Sequence, residues 1–65
     1  MKRQVFTLHC GIGPMMRARE AVGAVPGVIA AEPIPGRCAL QVWRSDEVPE
    51  AALREIVRRF EQAGP

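Results

Sequence analysis

No apolar run in this chain is long enough to span a bilayer. The N-terminal stretch "MKRQVFTLH" starts with charge, but its apolar part ends at His9, too short even for a secretory core. The expectation is a chain without membrane insertion, in the cytoplasm, where thiols stay reduced. Charge of one sign is also scarce. The net charge is +2, and the basic residues are spread along the chain, which argues against a nucleic-acid arm. Aromatic residues are limited to two phenylalanines and one tryptophan. RNA binding across a sheet face needs two or more stacking aromatics, and Trp43 stands alone there. The single histidine, His9, has no obvious carboxylate partner, and no acidic pair occupies a cleft-forming loop. Nothing therefore points to an enzyme. Cysteine is confined to Cys10 and Cys38. In a reducing compartment such a pair serves as small hydrophobes, reactive thiols or metal ligands more often than as a structural bridge.

Length sets a further bound. A chain of 65 residues forms one domain, spanning 1–65, with a thin core, because about 60% of the unfolded surface is buried at this size. A bound ion, a disulfide or a partner chain would help it.

What is present is a regular order of elements. Residues 4–9, "QVFTLH", alternate, with Phe6 and Leu8 on one side and Val5, Thr7 and His9 on the other, which is strand periodicity. "GIGP" breaks that strand, and Pro14 suits the first turn of a helix. Met15, Ala18, Ala21, Val22 and Val25 recur at helical spacing, and "PGV" at 26–28 stops the helix. Residues 28–34 read as a second strand, "PIPGR" as a turn, and Cys38, Leu40 and Val42 as the inward side of a third strand. The remainder is the clearest helix. Ser45 or Asp46 is its candidate cap, Leu53, Ile56, Val57 and Phe60 form its buried stripe, and Gly64 ends it. Glu50 with Arg54 and Glu55 with Arg59 add i,i+4 pairs on its wet face. Strand, helix, strand, strand, helix is the plan of an α+β, ferredoxin-like split βαβ sandwich, here βαββα with the C-terminal strand missing.

At this point the sequence resembles the heavy-metal-associated domain, the small ferredoxin-like module of copper chaperones, mercury-binding proteins and metal-pumping ATPases. "LHC" at 8–10 matches the family's Met-x-Cys, with Leu8 standing for the Met. "VPGVIAAEPI" matches its helix exit and second strand, "CALQVW" its third strand, and "IVRRFEQAG" its closing helix. The resemblance covers nearly the whole chain. It implies binding of a soft metal ion, Cu(I) or similar, for delivery or sensing. The family's site is Cys-x-x-Cys, where this chain has Gly13 after Cys10, or Pro14 if the motif is shifted by one. Neither can ligate. The family also carries a fourth strand after the Gly, so the first strand here is expected to leave an unpaired edge.

The chemistry narrows accordingly. Cys10 precedes a helix N-terminus, where backbone N–H groups and the helix dipole favour a thiolate, and thiolate sulfur suits soft ions. A second sulfur is needed. Pairing Phe6 with Val42 and Leu8 with Leu40 would set Cys10 opposite Cys38 on the helix-covered face, while a slip of two residues is equally compatible with the alternation. Another source is Cys10 of a second chain, in a symmetric dimer sharing one ion. Met15 is a thioether candidate that serves equally as core filler. His9 points away from Cys10 on an alternating strand and is a weaker candidate. "GIG" lacks the third glycine of a dinucleotide loop, because Met16 stands there. Trp43 falls on the face opposite the helices with Val5 and Thr7. That face, or the edge of the first strand, is a candidate surface for a homodimer or a partner protein. The second functional expectation follows: a degenerate module that has lost its metal and acts in protein interaction or assembly.

Overall fold

Alternation in the three β-rich segments and the apolar stripes of the two helical ones place one face of each element inward, and the chain folds on those faces. The computed structural model describes residues 1–62. They form β1 (Lys2–Thr7), α1 (Ile12–Gly23), β2 (Val28–Pro33), β3 (Ala39–Arg44) and α2 (Glu50–Gln62). The result is a small α+β domain with a three-stranded antiparallel sheet in the order β1-β3-β2 and two helices. Phe6 lies opposite Leu40, and Ala31 opposite Val42, so the inward residues of all three strands share one face. Met15, Ala18 and Val22 from α1 and Leu53 and Val57 from α2 close over them as a single buried core. Gln41 and Trp43 alternate to the other face.

Several boundaries differ from the sequence expectation. β1 begins two residues earlier, because β3 runs on to Arg44 and gives Lys2 a partner. α1 begins at Ile12, ahead of Pro14. A proline in the first turn removes no intrahelical bond, since those N–H groups have no partner in any case. It ends at Gly23, where Ala24 N–H donates to Glu20 O at 3.1 Å, so Val25 lies beyond the helix rather than in it. Ser45 and Asp46 do not cap α2. Ser45 instead opens a turn closed by Val48 N–H to Ser45 O at 3.2 Å, and the helix starts at Glu50. Gly64, the expected helix end, lies outside the described residues.

The wet-face pairs form as expected on α2. Arg54 Nη2 meets Glu50 Oε2 at 2.8 Å, and Glu55 takes both Arg58 and Arg59. One buried cation was not visible in the apolar pattern. Arg44 is buried, its Nη1 donating to the Val48 carbonyl at 2.6 Å and its Nε to Gln4 Oε1 at 3.1 Å. These bonds satisfy a charged group that would otherwise be costly to bury. Among the described residues no helix is long and apolar enough to cross a membrane.

Candidate functional site

The loop between β1 and α1 carries Cys10, and three elements converge on it. Gly11 is the N-cap of α1 and offers no side-chain cap, so the first N–H groups of the helix stay open toward the loop. Cys10 is half-buried against the core. From the far end of α2, Glu61 reaches the same loop, and His9 N–H donates to its Oε2 at 2.6 Å. On the third side, the turn before β3 brings Cys38, whose carbonyl accepts Leu8 N–H at 2.8 Å.

That last bond belongs to the second of the two registers the alternation allows. Phe6 pairs with Leu40 rather than Val42, and Leu8 with Cys38, so Cys10 lies two residues past Cys38 instead of opposite it. A shift of two keeps every side chain on its face, so alternation does not resist it. The backbone ladder carries this register throughout, from Lys2 opposite Arg44 to Thr7 opposite Ala39. Cys38 is exposed and lies in the turn just before β3, one residue short of the strand. Both cysteines are free.

The electrostatics of Cys10 also run against the sequence expectation. Burial pushes its thiol above the ordinary range, and the Glu61 carboxylate and then the Cys38 sulfur push it further. Desolvation and neighbouring negative charge oppose the thiolate that a helix N-terminus would otherwise favour. Cys10 is thus a neutral thiol near pH 7, and an ion must displace its proton to bind.

Of the other candidates, Met15 is 2% exposed and part of the core, while its neighbour Met16 is exposed. His9 is exposed. Among the described residues no group of three or more His, Cys, Asp and Glu could hold a metal ion. A closed tetrahedral site of the zinc type is therefore not built by them. The donor set that remains is a pair of thiols, with a carboxylate beside one.

Sequence reasoning missed Glu61, although a signal existed. Glu61 continues the Leu53–Val57 line at four-residue steps, so it points where those two point. It also sits at a helix C-terminus, where a carboxylate opposes the dipole and gains from a partner outside the helix. Its influence can be measured. In a Cys38→Ser background, Glu61→Gln is expected to lower the pH at which Cys10 becomes reactive, because the nearby negative charge is gone while an acceptor for His9 N–H is kept. The pH dependence of iodoacetamide alkylation reads this directly. A midpoint that stays put or rises would show that Glu61 does not act on the thiol.

Comparison with family models, with curated proteins and with solved structures returns no match. The site stands on its own geometry.

Proposed function

We propose that this chain is a ferredoxin-like module, similar to heavy-metal-associated domains, that binds a soft ion of the Cu(I) type between Cys10 and Cys38 for delivery or sensing in a reducing compartment such as the cytoplasm. The observation that supports it is that the turn carrying Cys38 lies against the end of β1 that leads into Cys10, with Leu8 N–H donating to the Cys38 carbonyl at 2.8 Å and both cysteines free. Two soft donors without a third favour an ion satisfied by sulfur and few ligands, as Cu(I) is, over Zn(II). The strand order β1-β3-β2 agrees with the split βαβ plan. Met15 and His9 stand outside the proposed pair, the first because it fills the core and the second because the loop exposes it.

The test is competition for Cu(I) between the reduced protein and a chelator. Wild type is expected to hold the ion, and Cys10→Ala or Cys38→Ala each to weaken binding by orders of magnitude. Affinity should also rise with pH, because the raised Cys10 proton is released on binding. Equal competition by wild type and both variants would leave no role for the pair. A second reading, an interaction or assembly module, draws on the sheet face that carries Trp43 and Val5, where Val5 is 40% exposed. Sedimentation showing a concentration-dependent dimer that Trp43→Ser dissolves would support it.

A further inference from the structure

The outer edge of β1 has the features of a place for one more strand. In an antiparallel ladder, opposed residues alternate between pairs that exchange both backbone hydrogen bonds and pairs that exchange none. Leu8 and Cys38 form a bonded pair, and the register carries that parity to Phe6 with Leu40 and Gln4 with Val42. Arg3, Val5 and Thr7 therefore turn their N–H and C=O groups away from β3. Among the described residues no strand meets them on that side.

A groove of about 440 Å³ runs beside this edge, between Val5, Phe6 and Thr7 of β1 and Arg54, Val57 and Arg58 of α2. Its floor is apolar, made by Phe6 and Val57. Its rim is basic. The Arg54 guanidinium stands 5.5 Å from the Phe6 ring centroid, and Arg58 follows one turn later. Glu61 is the acid at the groove, and its Oε2 is engaged by His9 N–H. Arg54 and Arg58 do pair with Glu50 and Glu55, but their side chains are 64% and 62% exposed, and such pairs hold weakly enough to yield to a partner.

We infer that β1 and this groove take up an extended segment of another protein by strand addition, with acidic side chains meeting Arg54 and Arg58 and an apolar side chain between them over Phe6 and Val57. Backbone bonds to Arg3, Val5 and Thr7 supply affinity, and the alternation of acid, apolar and acid on one face supplies specificity. A second copy of this chain is a poor occupant. It would set a second Lys2, Arg3, Arg54 and Arg58 against the first set, and like charges across an interface are unfavourable. The inference stands apart from the metal reading and from self-association through the Trp43 face, and its test touches neither.

The probe is a short fluorescent synthetic peptide carrying glutamate, leucine and glutamate on one face and threonine on the other, titrated into the whole chain with a chelator present. Saturable binding that weakens as salt rises is expected, with a loss of roughly tenfold in Arg58→Glu. A chain made by synthesis with an N-methyl group on Val5 should lose the peptide altogether. That group blocks an outward N–H and leaves the bonds to β3 alone, so circular dichroism and the thermal midpoint should stay near those of the unmodified chain. The inference is overturned if the peptide does not bind. It is equally overturned if a lysine-for-glutamate peptide binds as well, or if neither the N-methyl chain nor Arg58→Glu differs from the parent.

Discussion

Gly27→Ala is expected to leave most molecules unfolded at room temperature. Gly27 holds φ at +94°, a region that side-chain-bearing residues enter at a cost of about 1–2 kcal/mol. Worse, a Cβ there would lie 2.5 Å from Val48 Cγ2, and Val48 is buried. Its branched side chain has no free end to swing aside, so backbone or core must shift, typically for about 1–3 kcal/mol more. The backbone has little room, because Ser45 N–H donates to the Gly27 carbonyl at 2.8 Å and fixes the loop against the end of β3. A single small core seldom supplies more than about 3–5 kcal/mol in total. Gly36→Ala is the control: φ there is +76°, but nothing lies within 4 Å of the added Cβ. It should show the backbone cost alone. Urea unfolding followed by circular dichroism and by Trp43 fluorescence separates the two, and Val48→Ala should partly rescue Gly27→Ala while leaving Gly36→Ala unchanged. Equal losses at the two glycines would show that Val48 does not pack on Gly27.

The helix that reads most clearly in the sequence, α2, is the one whose buried stripe appears as expected, with Leu53 and Val57 in the core and Ile56 and Phe60 packed against it. Periodicity is a strong signal because it reports which side of an element is inward, a property local to that element. Ends are not local. β1 reaches Lys2 because a partner at Arg44 exists on another strand, and α1 stops before Val25 because Ala24 caps it. Burial of Arg44 is likewise decided by the Val48 carbonyl and the Gln4 amide, which come from other segments.

The candidate site shows the same division more sharply. That Cys10 lies at the junction of a strand and a helix follows from "HCGIGP" alone, and the structure puts it there. Its neighbours do not follow. Alternation distinguishes odd slips of a strand from even ones, so it cannot tell whether Cys10 or Leu8 faces Cys38. The answer comes from the ladder as a whole, which sets Lys2 opposite Arg44 and Phe6 opposite Leu40. The protonation of Cys10 is not legible in the sequence for a related reason. The helix N-terminus is a sequence-local effect, whereas burial is set by the core as a whole and Glu61 arrives from α2, more than fifty residues away along the chain.

Phe6→Ala should be the most damaging substitution in β1, and its partners show why. Phe6 is 4% exposed, opposite Leu40 in the ladder and beneath the Arg54 guanidinium. Truncating a buried phenylalanine to alanine costs about 3–5 kcal/mol, which equals the whole stability of a core this size. The variant is expected to lack a cooperative thermal transition. Phe6→Leu keeps an apolar group of similar reach and should fold, losing about 1.5 kcal/mol or less. What leucine cannot restore is the ring face under Arg54, an attraction of about 0.5–1 kcal/mol at an exposed site. Arg54→Met should therefore be costlier in the parent than in the Phe6→Leu chain, and a double-mutant cycle in urea isolates the difference. A coupling of zero would detach Arg54 from the ring. A folded Phe6→Ala protein would mean that β1 is held by its ladder with β3 rather than by the core beneath it, and the groove beside it would then have no floor.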